Sequence, residues 1–249
     1  MLNLQGKTFL VTGAAGTGVG SGVCQALDRC GGRLVVNDMS PERTQAAAAQ
    51  YENAIALPGD IASAEGVTRM FDQLRAQGVR LNDLVNNAGV GLSKLAHDAT
   101  EADFDRLYSI DLRGVWLMSR AFIQHALANG SAGASIVNIS SVHAYATMAR
   151  YALYAGAKAG VEGVTRGLAA ELGPRGMRCN AVAPGYVHAE QNFDLIRTWA
   201  PDPQAWVRAH SVNQQALEFE IEPIDCGWTV AFLLSDLSRA ITGQVIRVD

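Results

Sequence analysis

Short, almost wholly apolar runs recur along the chain with helix-like spacing between them, and this alternation constrains the fold more than any other feature. The runs are KTFLVTG (7–13), GRLVVND (32–38), NAIALPGD (53–60), LNDLVNNAG (81–89), ASIVNISS (134–141), MRCNAVAPG (177–185) and GQVIRVD (243–249). Near-continuous apolar character over so few residues marks strands buried on both faces, as in a parallel sheet covered by helices. The stretches PERTQAAAAQYE (41–52) and AEGVTRMFDQLRAQG (64–78) carry the apolar spacing of amphipathic helices. A βαβα succession of this kind predicts an α/β protein with a doubly wound parallel sheet. No composition shift or linker divides the 249 residues, so 1–249 is expected to be a single domain. Ligands of such sheets bind beyond the carboxyl ends of the strands, so the chemistry is expected just after each run.

Bulk properties exclude several classes. A net charge of -4 without a basic run argues against a nucleic-acid surface. The opening MLNLQGKTFLVTG passes straight into a strand pattern, without the charged, apolar and small-residue regions of a secretory leader. No apolar stretch approaches the ~18 to 20 residues that span a bilayer, so no membrane association is expected. Cys24, Cys30, Cys179 and Cys226 are scattered, and the 5 histidines do not cluster with them. They read as free thiols of a cytoplasmic protein without a metal site.

TGAAGTGVGSG (12–22) follows the first strand pattern and opens a helix, where backbone amides and a helix N-terminus can hold a pyrophosphate. Its glycines Gly13, Gly18 and Gly20 are spaced G-x4-G-x-G rather than G-x-G-x-x-G. Asp38 ends the second strand pattern, where a carboxylate accepts hydrogen bonds from both ribose hydroxyls and repels a 2'-phosphate. NAD is therefore expected over NADP. Thr17, Met39 and Ser40 supply no cation for such a phosphate, although Arg43 is near.

YALYAGAKAG (151–160) holds one of the 3 lysines of the chain. Hydride transfer at a carbinol carbon requires a group that gives or takes the proton at oxygen. Free tyrosine, with a pKa of about 10, is a poor base at neutral pH, and a nearby ammonium corrects this by favouring the phenolate. Residues four apart share a helix face, so Tyr154 meets Lys158, whereas Tyr151 meets only Ala155 and Tyr145 only Ala149. A hydroxyl should also hold the substrate oxygen. Ser140 and Ser141 both end the fifth strand pattern, and geometry alone does not choose between them.

Together with GDI (59–61), NNAG (86–89), IVNISS (136–141), YAGAK (154–158), NAVAPG (180–185) and FLLSDLSRAITGQ (232–244), these motifs resemble the short-chain dehydrogenase/reductase family over nearly the whole chain. The resemblance implies a Rossmann-type sheet of about seven strands and a homo-oligomer, tetramer or dimer. It implies that Ser141 orients the substrate, that Tyr154 exchanges the proton, and that Lys158 also binds the nicotinamide ribose. Asp60 would meet the adenine, with Ile61 beside it, and Asn87, Ala88 and Gly89 would line the cofactor. Gly13, Thr17, Gly18, Val19, Gly20, Pro184, Gly185 and Val187 complete the implied cofactor contacts, and Tyr186 joins Ser141 and Tyr154 at the substrate. Three departures stand out. The glycine loop is one residue longer than the family's T-G-x-x-x-G-x-G. Asp111, in SIDLRG (109–114), replaces an asparagine of the proton relay. Ala189 replaces a threonine that contacts the carboxamide.

The stretch from 188 to 223 reads as a substrate lid. Its aromatics Phe193, Trp199, Trp206 and Phe219 fit a pocket wall, a packed lid or a subunit contact equally. His143 and Tyr145 are further candidates for substrate contact. The sequence thus reads as an NAD-dependent oxidoreductase interconverting a small secondary alcohol and a ketone, apolar or cyclic. An NADP-dependent 3-oxoacyl or other carbonyl reductase is one alternative, and a non-catalytic NAD-binding regulator is another.

Overall fold

A computed structural model describes residues 2–130, 133–213, 215 and 217–249. The elements in chain order are β1 (Thr8–Val11), α1 (Val19–Arg29), β2 (Arg33–Val36), α2 (Pro41–Ala48), β3 (Ile55–Ala56), α3 (Ala64–Ala76), β4 (Asp83–Asn86), α4 (Glu101–Tyr108), α5 (Val115–Ala128), β5 (Ser135–Ile139), α6 (Ala152–Leu172), β6 (Arg178–Pro184), α7 (Glu190–Arg197), α8 (Pro203–Asn213), α9 (Pro223–Leu234) and β7 (Val245–Val248). All seven apolar runs are strands. They form one parallel sheet in the order β3-β2-β1-β4-β5-β6-β7, which reverses between β1 and β4.

Both sheet faces are covered, which is why the strands do not alternate with polar residues. Phe9, Val11, Leu34, Val36, Val85 and Val137 point to one side, against α1 and α9. Leu10, Val35, Leu84 and Ile136 point to the other, against α3, α5 and α6. Strand β3 keeps only two paired residues, and Pro58 just beyond it has no amide to extend the ladder.

The helices begin where the sequence supplies caps. Ser40 and Ser63 accept from the amides of Arg43 and Gly66 at the starts of α2 and α3, and Thr100 with Asp103 forms a capping box on α4. A π-helical turn, Ser109–Gly114, joins α4 to α5 and carries Asp111 inward. Residues between β6 and α9 fold largely into α7 and α8, with a small core of Ile196, Ala200 and Val207 packed by Phe193, Trp199 and Trp206.

Candidate active site

A cavity of about 610 Å³ runs along the carboxyl ends of the strands, from the glycine turn after β1 to α6 and the α7–α8 segment. This is the switch point of the sheet, where ligands of doubly wound folds collect.

At one end, Gly13 has φ +61°, and a Cβ there would lie 2.6 Å from the Cα of Ala88. The turn can therefore press on the end of β4 only with glycine at that position. Asn87 ties the two together, donating from Nδ2 to the carbonyls of Thr12 at 2.9 Å and Gly13 at 3.0 Å. Helix α1 then starts after Gly18 with no side chain capping it and no acid in its first turn. Such an end offers free amides and positive dipole to a phosphate. At the end of β2, Asp38 accepts from the Ser40 amide at 3.2 Å, and its other oxygen lies 3.8 Å from Arg43. Both side chains line the cavity.

At the other end, α6 presents Tyr154 and Lys158 on the same face. Lys158 is buried. Its ammonium lies 3.1 Å from Asp111 Oδ2 and donates to the carbonyl of Ile139 at 3.2 Å. Asp111 Oδ1 accepts from the Val90 amide at 2.8 Å. Gly89 makes room for the pair, since a Cβ there would sit 3.0 Å from Asp111 Oδ2 and 3.2 Å from Lys158 Nζ. Burial pushes the lysine down, but the Asp111 carboxylate and Tyr154 push it up by more, so the group is held above its usual range as a cation. That cation stands 5.6 Å from the centre of the Tyr154 ring.

The structure separates the two serines. Ser140 Oγ donates to the Lys158 carbonyl and to Glu162 Oε1, both at 3.2 Å, and is consumed in docking α6. Ser141 Oγ accepts from the His143 amide at 3.2 Å, which leaves its proton for a ligand. His143 is fixed by Thr147, 3.0 Å from its Nδ1, and by stacking on Tyr151 with centroids 4.3 Å apart.

Of the residues singled out in the sequence, Gly13, Gly18, Val19, Gly20, Asp38, Asp60, Ile61, Asn87, Ala88, Gly89, Asp111, Ser141, His143, Tyr154, Lys158, Pro184, Gly185, Tyr186 and Val187 all line this cavity. Thr17 does not. It is exposed on the glycine loop, and Gly16 takes a place on the wall instead. Tyr145 is also turned out to solvent, under the Arg247 guanidinium. Ala189 is buried off the wall, while Asn192 in the next turn lines it. The aromatics of the 188–223 stretch divide. Trp206 is on the wall, Phe193 and Trp199 pack inside the α7–α8 segment, and Phe219 is exposed. Tyr151, His210 and Asp249 are wall residues that the sequence reading missed. The spacing of Trp206 and His210, four apart on α8, was the available signal for one of them.

A family model described as enoyl-(acyl carrier protein) reductase matches residues 13–249. The chain belongs to the short-chain dehydrogenase/reductase family. Among its short-chain dehydrogenase/reductase relatives, an uncharacterized oxidoreductase of Methylorubrum extorquens is 34% identical over 252 residues, covering 99% of this chain and 98% of its own. A hydroxynaphthalene reductase-like protein of Metarhizium brunneum is 32% identical over 255 residues, covering 98% and 94%. A crystal structure of a dehydrogenase/reductase from Sinorhizobium meliloti superimposes with a TM-score of 0.87 at 29% identity, over 99% of this chain and 95% of that one. The protein is accordingly an oxidoreductase of CH–OH groups whose fold and family imply a nicotinamide cofactor. The uncapped start of α1, the glycine turn and the carboxylate at the end of β2 fit such a group.

Proposed function

We propose that the protein is an NAD-dependent oxidoreductase that interconverts a cyclic secondary alcohol and its ketone. The observation that carries this reading is the convergence, on one cavity wall, of Ser141, Tyr154 and a Lys158 held as a buried cation. The turn at Gly13 and the amides that open α1 from Gly18 to Gly20 would hold the pyrophosphate, and Asp38 would hold the adenine ribose. When bound, the nicotinamide supplies or accepts hydride at the carbinol carbon.

The chain's own residues manage the oxygen. Ser141 donates its remaining proton to the substrate oxygen and orients it. Tyr154 gives that oxygen a proton during reduction and takes one during oxidation. The Lys158 ammonium stabilises negative charge on the phenol oxygen, and Asp111 with the Ile139 carbonyl fixes where the ammonium sits. Leu195, Ile196 and Trp206 exclude water from the substrate end. The α7–α8 segment acts as a lid. A relative named for hydroxynaphthalene reduction supports a cyclic substrate.

Two broader readings have weaker support. Trp116 and Phe104, exposed on α5 and α4, support a homo-oligomer. Four unpaired, buried cysteines support a cytoplasmic setting.

A panel of cyclic and acyclic alcohols and ketones, followed at the reduced-nicotinamide absorbance, tests the activity. Robust turnover of cyclic compounds is expected, and its absence across the panel contradicts the proposal. One observation favours a second reading, NADP: Arg43 reaches the wall beside Asp38. The ratio of kcat/KM for the two cofactors decides it. NAD preferred by at least about tenfold supports the role of Asp38, and NADP preferred overturns it.

A further inference from the structure

Among the described residues other than glycine, two have positive φ, Asn53 at +57° and Arg150 at +79°. Asparagine tolerates the left-handed region, whereas an arginine there is strained and persists only where its surroundings hold it. Arg150 stands directly before Tyr151, the residue that opens α6, and four residues before Tyr154. Glycine would take the same backbone without strain. It would lack the side chain that the neighbouring loop uses.

That side chain forks onto one residue of the loop after β4. Nε donates to Ser93 Oγ and Nη2 to the Ser93 carbonyl, both at 3.3 Å. The Arg150 carbonyl accepts from the Lys94 amide at 2.8 Å, so three hydrogen bonds join Ser93 and Lys94 to this one residue. The loop is anchored on its far side as well, where Lys94 Nζ meets Asp103 Oδ2 of the α4 capping box at 2.6 Å. A planar guanidinium with two donors engaged fixes angle as well as distance.

The two segments joined in this way shape the reacting end of the cavity. Val90 and Gly91 line it from the loop after β4, and Thr147, Met148 and Tyr151 from the approach to α6. Tyr151 is buried, and Ser93 faces its hydroxyl. Its ring stacks on His143 with centroids 4.3 Å apart and meets Tyr154 edge-on at 6.2 Å, while His143 meets Tyr154 edge-on at 5.8 Å. Two rings therefore brace Tyr154, and one of them follows Arg150 in the chain. A shift at residue 150 moves that ring and the phenol it braces.

We propose that Arg150 is a positioning residue, whose left-handed backbone and forked guanidinium clamp the loop after β4 to the start of α6 and, through Tyr151, set where Tyr154 stands. This rests on the reading of Tyr154 as the group that moves the proton. Displacing a reacting group by about 1 Å costs up to about a hundredfold in rate while the fold survives.

The test is Arg150→Asn in the full chain, because asparagine keeps the backbone conformation and lacks the fork. Reduction of α-tetralone by the reduced dinucleotide reports turnover, and calorimetry gives dinucleotide affinity and stoichiometry. Hydrogen exchange read by mass spectrometry follows residues 90–96 and 148–158. The kcat per dinucleotide-binding site is expected to fall by about tenfold, with dinucleotide Kd within about twofold of wild type. Exchange is expected to quicken in both segments and to stay unchanged in α1 and β2. Arg150→Gly, which takes the same backbone freely, is expected to behave alike and stands in if the first variant does not fold. Unchanged kcat per site, or exchange that quickens in one segment only or in neither, overturns the clamp. So does a loss of rate carried wholly by a smaller fraction of chains able to bind dinucleotide. A wild type that leaves tetralone unreduced counts against the proposed reaction instead, and the exchange comparison then decides the clamp by itself.

Discussion

Asp111 Oδ2 lies 3.1 Å from the ammonium of Lys158, and both side chains are out of water. The partner carboxylate oxygen is occupied by the Val90 amide at 2.8 Å, so the acid cannot turn away from the lysine. A buried ammonium on its own would lose its proton readily. This pair keeps Lys158 charged, and it ties the π-helical turn that follows α4 to the loop after β4.

Asp111→Asn therefore has a pH signature. The amide keeps an acceptor for Val90 but removes the carboxylate that raises Lys158, leaving burial to lower it. The alkaline limb of kcat/KM is expected to move toward lower pH by about one unit or more, with a lower melting temperature because the buried ammonium loses its partner. An unchanged alkaline limb would separate Asp111 from the chemistry.

Ser141→Ala and Ser140→Ala are expected to fail differently. The first removes a donor from the cavity and should lower kcat/KM by on the order of a hundredfold or more while leaving folding intact. The second leaves Glu162 Oε1 and the Lys158 carbonyl without the Ser140 proton, and should lower stability by about 1–3 kcal/mol. Thermal melts and steady-state rates on the two variants distinguish the roles. Equal kinetic losses with equal melts would contradict the assignment.

Asp83 carries a pH dependence of stability remote from the site. At the start of β4 it is fully buried, with Oδ1 accepting from the Ser135 amide at 2.7 Å and Oδ2 unpaired. Burial, opposed chiefly by Lys7, pushes it up from 3.8 to about 7. Between those values the folded chain binds a proton that the unfolded chain has released, so the stability this group contributes falls as pH rises from about 4 to about 7. Asp83→Asn removes the titration. The gap in unfolding free energy between variant and wild type is expected to move in the variant's favour by a few kcal/mol between about pH 4 and pH 8. A constant gap in chemical denaturation across that range contradicts it.

The strands were legible because burial on both faces leaves no choice of residue, and all seven runs formed them. Tyr154 and Lys158 were legible because helical spacing alone brings them to one face. Between Ser140 and Ser141 the residues themselves were silent, since both sit at the end of β5 and only the docking of α6 shows which hydroxyl is spent. Thr17 is off the wall because the glycine loop turns it to solvent. His210 was harder, because only its spacing four residues after Trp206, and nothing in local composition, says which face of α8 turns inward. Asp249 reaches the wall through the pairing of β7 with β6 and its packing over Gly185, a contact set by the sheet and not by any motif.

The account stands or falls on Tyr154. Turnover of the best alcohol or ketone and the dissociation constant for the dinucleotide, measured side by side on wild type and Tyr154→Phe, test it most directly. Loss of at least about a thousandfold in kcat with dinucleotide affinity within about threefold of wild type is the expected result. A variant that turns over at a rate near wild type would contradict the assignment of Tyr154 as the group that moves the proton.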